Sequence, residues 1–279
     1  MKTIGFIDYE LDNWHANNYP EMIRKASEGK WKVAYAWGYQ DCEGGLSSRE
    51  WTDKFGVELC ATEDEVIEKS DCLIVLSPNN PEMHERLCQK ALSSGKPTYV
   101  DKTFAPDAET ARRIFEVAEK SGTPSFSTSA LRYSTELEGI DRAQIERIYS
   151  EGPGPLEIYS IHQIEPIVCL MQTEVKQIMA LDTEAHPSFV IEFEDGRKVQ
   201  MVQRDDPSWS FRLQLINHKN EANVVQIESD YFGNFIQAMI RFFDTKEVPV
   251  PHAETVRVMA IRETAIQAAK TPFEWLQVK

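Results

Sequence analysis

Apolar residues come in short solid runs over the first 130 positions, and the stretches between those runs carry helical spacing. Thr3–Ile7 is a short apolar run, followed by a helix-like segment over 16–28 and a second run, Trp31–Trp37. A helix near 47–55 and a strand at Val57–Cys60 come next. Another helix opens at Thr62 with acids in its first turn, where the helix dipole favours them. "DCLIVLSP" has an unbroken apolar centre, which predicts a strand buried on both faces of a parallel sheet. A helix over 80–94 ends at Gly95, and "PTYVD" is the next strand. Pro106-Asp107 opens a long helix with apolar residues at 108, 111, 114, 115 and 118; Gly122 stops it and "PSFST" follows as a strand. This alternation predicts βαβ units, a parallel sheet and right-handed crossovers.

After about residue 130 the pattern changes. "EGPGP" at 151–155 reads as a loop, and "LEIYSIHQIEPIVCLM" as a strand running into an apolar helix. Strand candidates then follow in meander order at Ser188–Glu194, Lys198–Arg204, Ser210–Ile216 and Asn223–Glu228. Asp195-Gly196 supplies a hairpin signal between the first two. Helices over about 230–244 and 252–270 close the chain. The expected architecture is α/β: a Rossmann-like parallel domain over 1–128, then an α+β domain over 129–279 with an open, mostly antiparallel sheet.

Composition narrows the function classes. The chain has 279 residues, 42% of them hydrophobic, with 45 acids against 30 bases. A net charge of -15 argues against a nucleic-acid partner, since phosphate contacts need a basic face. No run approaches the roughly 18 apolar residues of a membrane helix, and the N-terminus does not read as a secretory signal, so the expectation is a cytoplasmic protein without a membrane partner. Five cysteines without a CxxC pair give neither a disulfide framework nor a metal site.

In open α/β sheets ligands bind beyond the carboxyl ends of the strands. The first such end carries Asp8-Tyr9-Glu10-Leu11-Asp12-Asn13, a turn with three acids and no glycine. The second ends in Trp37-Gly38, whose indole can stack on an adenine or pack against a helix. The fourth leads through Ser77-Pro78-Asn79 into a helix N-terminus, and the fifth ends in Asp101-Lys102. A lysine after a buried strand is costly to bury unpaired, so Lys102 is expected to face a cleft or a partner, where an amine can donate to an oxygen or relay a proton. In the second half, His162 stands at the expected strand-to-helix junction with Glu165 one turn on, a pairing suited to proton transfer. His186 and His218 read as loop or strand-edge residues, and His252 as the opening of the last helix.

The stretch from Phe55 to Gly122 resembles the Gfo/Idh/MocA oxidoreductases, as a short, divergent member. The family's Thr-Pro-Asn turn with a following His corresponds to Ser77-Pro78-Asn79 and His84, its Gly-Lys to Gly95-Lys96, and its Glu-Lys-Pro to Asp101-Lys102-Thr103. The resemblance extends through "YSIHQIE" to the final helix. It implies an NAD(P)-dependent dehydrogenase acting on CH-OH groups of sugars, inositols or related polyols. Lys102 and His162 are then the catalytic residues, with Asp101, Glu165, Arg132 and Tyr133 at the substrate and Asp8, Tyr9, Asn13, Trp37, Ser77, Pro78, Asn79 and His84 at the cofactor. It also implies a homo-oligomer, dimer or tetramer, built through the C-terminal sheet.

Two departures stand out. The acid four residues before the histidine is replaced by Ile158, while Glu165 keeps the acid three residues after. The family's GxGxxG falls on Asp8, Glu10 and Asn13, where carboxylates near a pyrophosphate cost about 1 kcal/mol per close exposed pair. A non-catalytic descendant that binds a sugar-like ligand or a partner without the dinucleotide is therefore the alternative expectation, and a scaffold subunit a third.

Overall fold

Lys2–Asp8 forms the first strand, β1, in the computed structural model, which describes residues 1–182 and 187–279. The chain divides into two units: Met1–Thr128 with Gly233–His252, and Ser129–Phe232 with Ala253–Lys279.

In the first unit β1 is followed by α1 (Trp14–Ala26), β2 (Trp31–Gly38), α2 (Ser48–Phe55), β3 (Glu58–Leu59), α3 (Glu63–Lys69) and β4 (Cys72–Leu76). Then come α4 (His84–Leu92), β5 (Thr98–Val100), α5 (Ala108–Ser121) and β6 (Ser125–Phe126). The six strands lie in the order β3-β2-β1-β4-β5-β6, every neighbouring pair parallel. This is the doubly wound dinucleotide-fold order, with its switch point between β1 and β4.

Local sequence explains most boundaries. Ser47 and Glu50 form a reciprocal capping box at α2, which ends on Gly56 in the left-handed region. Thr62 caps α3 and Asp107 caps α5. The expected helix over 80–94 begins as a 3-10 turn at Pro81–Met83 before becoming α-helical. All five residues of β4 are buried, which is why its sequence shows no alternation. Gly5 is fixed by close approach, because a Cβ there would run into Ser70 and Val66 at the end of α3. Lys96 completes that end: its ammonium donates to the Ser70 carbonyl at 2.6 Å and to the Ile67 carbonyl. Residues 233–245 of a later helix, α7 (Tyr231–Thr245), also belong to this unit. There Phe243 packs on Trp31, Phe242 on Phe126, and Phe235 on Tyr19 and Tyr99.

The second unit contains β7 (Ile145–Pro153), α6 (Leu156–Met171), β8 (Val175–Ala180), β9 (Ser188–Phe193), β10 (Lys198–Arg204), β11 (Arg212–Asn217) and β12 (Ala222–Gln226). It also takes nearly all of α8 (His252–Ala268), and β13 (Leu276–Gln277). The sheet order is β12-β11-β7-β10-β9-β8-β13, antiparallel except for the β7–β10 pair.

The α/β fold class expected from the sequence is thus observed, with four corrections in the second half. "EGP" is not loop but the end of β7, and β8 is a strand beyond those expected. The strands do not follow a simple meander, because β7 inserts between β10 and β11. "LEIYSIHQIEPIVCLM" is helical throughout, so His162 stands inside α6 rather than at a junction. Gly154, at φ 88°, and Pro155 end the preceding strand before Leu156, and α6 is apolar on nearly all sides because nearly all sides are buried. His186 lies outside the described residues.

A buried amide relay ties α6 to this sheet. Ser150 donates to the Gln163 Oε1 at 2.6 Å, and Gln163 donates to the Gln203 Oε1 at 2.7 Å. Gln203 donates in turn to the carbonyls of Pro153 and Gly154. Among the described residues no helix is long and apolar enough to cross a membrane.

Candidate active site

The carboxyl ends of β1, β4 and β5 carry a cluster of ionisable side chains. Asp101, one residue past β5, is wholly buried. Its Oδ2 lies 2.9 Å from His15 Nδ1, and its Oδ1 accepts from the Tyr99 hydroxyl at 3.1 Å. Burial pushes the Asp101 carboxyl up, but His15, Lys102 and His84 more than offset it and hold it below the usual carboxylate range. Lys102 is partly exposed, with Nζ 3.4 Å from the Pro78 carbonyl. Burial lowers its proton affinity, opposed by the neighbouring Asp101 charge.

His84, at the start of α4, is buried; its Nδ1 is 3.0 Å from the Thr103 carbonyl and 3.2 Å from that of Phe104. Since both partners are acceptors, Nδ1 carries the proton. Burial lowers the His84 pKa to about 4, so the ring is neutral at physiological pH. Ser77 is buried and donates to the Asn80 carbonyl at 2.9 Å, which closes the turn and leaves Asn79 exposed.

The acid-rich turn closes on itself. Asp8 is fully buried, its carboxyl accepting from Asn13 Nδ2 at 2.8 Å and from the Glu10 backbone N–H at 3.3 Å. Burial pushes Asp8 well above the usual carboxylate range despite those donors, which favours the neutral acid. Glu10 accepts from Gln40 at 2.6 Å; Asp12 accepts from Asn17 at 2.9 Å and from the Leu46 N–H at 2.8 Å. Asn13 also caps α1, its Oδ1 accepting from the Ala16 N–H at 3.0 Å. Tyr9 stacks on Tyr39 at 5.8 Å, and Trp37 meets Tyr39 edge-on at 6.1 Å. The indole at the end of β2 is therefore set within an aromatic group.

In the second unit His162 Nδ1 lies 2.8 Å from Ser129 Oγ, which also accepts from the Leu131 N–H. The ring is flanked edge-on by Tyr159 and Phe211, at 5.4 and 5.8 Å. Arg132 pairs with Glu165 at 2.8 Å and also with Glu254. Burial works against the guanidinium charge, but the two carboxylates outweigh it and raise its pKa. Tyr133 beside it is pushed up mainly by burial.

Residues 43–128 match the family model for the Gfo/Idh/MocA oxidoreductases, described as an oxidoreductase family with an NAD-binding Rossmann fold. That segment is similar to the Rossmann domain of this family. The resemblance read from the sequence is borne out there.

Solved structures resemble the whole chain at low identity. A putative myo-inositol dehydrogenase from Sinorhizobium meliloti 1021 superposes with a TM-score of 0.81 at 11% identity, covering 100% of both chains. Myo-inositol 2-dehydrogenase from Lactobacillus plantarum gives 0.79 at 13%, covering 100% of this chain and 99% of its own. GenD2 from gentamicin A biosynthesis, in complex with NAD, gives 0.78 at 13%, covering 100% and 97%. At such identities the likeness establishes the fold. No curated relative matches the chain in sequence.

Within the first unit the residues present fit a dinucleotide better than the bare sequence does. Of the three acids in the turn, Asp8 is out of solvent and favoured neutral, and Glu10 and Asp12 are each engaged by donors of the same unit. Of the residues expected at the cofactor, Tyr9, Asn13, Trp37, Pro78 and Asn79 are at least partly accessible, as is Lys102 beyond β5.

The first unit brings Asp8, His84, Asp101 and Lys102 into one cluster, and the second joins Arg132 to Glu165. Sequence reasoning missed His15, Ser129 and Glu254. His15 shares the buried face of α1 with Ala16, Tyr19 and Ile23, a phase visible in the sequence. Ser129 and Glu254 are long-range partners with no local signal.

Proposed function

We propose that this chain is an NAD(P)-dependent oxidoreductase of the Gfo/Idh/MocA type, acting on a hydroxyl-bearing carbon of a sugar, inositol or related polyol. The observation that carries the reading is Lys102: a partly exposed amine at the end of a buried strand, its proton affinity lowered by burial, beside a buried carboxylate. Such an amine donates a hydrogen bond to a substrate oxygen and polarises it. His162, held at Nδ1 by Ser129, takes or returns the hydroxyl proton through Nε2. Arg132 serves the site by fixing Glu165. When bound, the nicotinamide supplies or accepts the hydride. The inositol dehydrogenases among the solved structures support the substrate class.

The test begins with NADH and NADPH titrations followed by thermal shift, then a polyol and sugar panel read at the nicotinamide absorbance. Binding of one cofactor is expected, with turnover that Lys102→Ala and His162→Ala abolish. Absence of any shift at millimolar concentrations of either cofactor overturns the reading.

A second reading is favoured by one observation: the Asn13 carboxamide already occupies the Ala16 N–H, a helix N-terminal donor of the kind that receives phosphate. A non-catalytic descendant binding a sugar-like ligand would show polyol-dependent stabilisation without a response to either dinucleotide.

A further inference from the structure

Tyr159 and Phe211 flank His162, and no step of the proton transfer uses them. Tyr159 lies one turn before the histidine on α6, and Phe211 stands just ahead of β11. Both meet the imidazole edge-on, at 5.4 and 5.8 Å between ring centres. Glycines make room for each ring. A Cβ at Gly152 would come 2.7 Å from Phe211 Cδ1, and one at Gly154 would run into Tyr159. The buried amide relay holds both glycines, because Gln203 lies opposite Gly152 in the β7–β10 ladder and donates to the Gly154 carbonyl at 2.7 Å. Packing alone does not account for the arrangement. Tyr159 is 41% exposed and Ile158 beside it 36%, so the start of α6 presents an apolar surface next to His162. Glu151 and Arg212, which adjoin Gly152 and Phe211 in sequence, pair with each other at 2.7 Å.

We propose that Tyr159 and Phe211 are substrate-contacting residues: they receive the C–H face of a six-membered polyhydroxylated ring while His162 meets one of its hydroxyls. This rests on the reading of His162 as the group that handles the hydroxyl proton. Such a ring has two kinds of surface. Its hydroxyls project round the rim, and its axial C–H bonds make a weakly positive, poorly hydrated face that complements the negative face of an aromatic side chain. An open-chain polyol of similar size has no such fixed face, and holding it in one conformation costs more entropy. Tyr159 and Phe211 therefore select ring substrates over open-chain ones.

Binding to the full chain is measured by calorimetry, with and without NADH. Myo-inositol and methyl α-D-glucopyranoside are the ring probes, and D-sorbitol is the open-chain probe. Tyr159→Leu is expected to weaken binding of the ring probes about three- to tenfold and to change that of sorbitol by less than about twofold. Tyr159→Phe keeps the ring without its hydroxyl and should stay within about twofold of the native protein for all three probes. Phe211→Leu should act in the same direction as Tyr159→Leu; if it does not fold, the variants at the exposed Tyr159 decide alone. Equal losses for ring and open-chain probes after Tyr159→Leu, or no loss for either, would overturn the proposal. So would a loss from Tyr159→Phe as large as that from Tyr159→Leu, or failure of both ring probes to bind the native protein. Because binding is read rather than turnover, the two readings fail separately. Ring selectivity that depends on Tyr159, in a protein that responds to neither dinucleotide, would remove the oxidoreductase reading and keep this one; turnover indifferent to Tyr159 would do the reverse.

Discussion

The Nδ1 of His84 lies 3.0 Å from the carbonyl of Thr103, so a fully buried imidazole on α4 anchors the backbone immediately after Lys102. A neutral buried ring makes a pH-dependent anchor. Its folded pKa, about 4, lies below the ordinary 6.5, so its contribution is complete above pH 6.5 and is lost as pH falls through about 4. The loss attributable to this group is at most about 3 kcal/mol, read from urea unfolding in a pH series. His84→Asn keeps a donor toward the two carbonyls without the titration, and should flatten the curve over that window.

Asn13 joins the helix cap to the buried acid, and two substitutions separate those roles. Asn13→Ala removes both and should cost about 1–2 kcal/mol. Asn13→Asp preserves a capping oxygen but sets a second carboxyl against Asp8. Its stability should therefore fall more steeply than the native protein's as pH rises from about 5 to 8. Parallel thermal melts at both ends of that range check this.

Glu165 is 2% exposed against 21% for Glu254, although both hold Arg132. Removing the more buried partner leaves the guanidinium less compensated. Glu165→Ala should destabilise by about 3 kcal/mol and Glu254→Ala by about 1 kcal/mol. Equal losses in denaturant unfolding would contradict the ranking.

Ser129 holds the ring proposed to move the substrate proton. Ser129→Ala should lower kcat about tenfold while leaving KM within about twofold, because the hydroxyl acts on His162 and not on the ligand. A change confined to KM would place Ser129 at the substrate instead.

The first half of the chain is legible because its signals are local. Solid apolar runs mark β1 and β4, and Asn13, Ser47, Thr62 and Asp107 are caps a reader can find by position. The second half hides its order. β7 pairs with β10 and β11, some 50 to 70 residues away, and nothing in "RIYSEGP" announces those partners. His162 sits mid-helix rather than at a strand end, because Ile158, Tyr159 and Ile161 have strand propensity that burial of α6 overrides. The turn at Asp8 misleads in the other direction. Its acids look exposed in sequence, and only the donors from Asn13, Gln40, Asn17 and Leu46 show where their charge goes.

The return of residues 233–252 to the first unit bears on how the protein is made. Trp31, Tyr99 and Phe126 emerge from the ribosome early, yet Phe235, Phe242 and Phe243, which cover them, are synthesised more than a hundred residues later. Until then the nascent sheet carries an open aromatic face, a natural client surface for chaperones. A fragment ending at Thr128 would keep that face permanently, and should bind hydrophobic dyes and aggregate where the full chain does not.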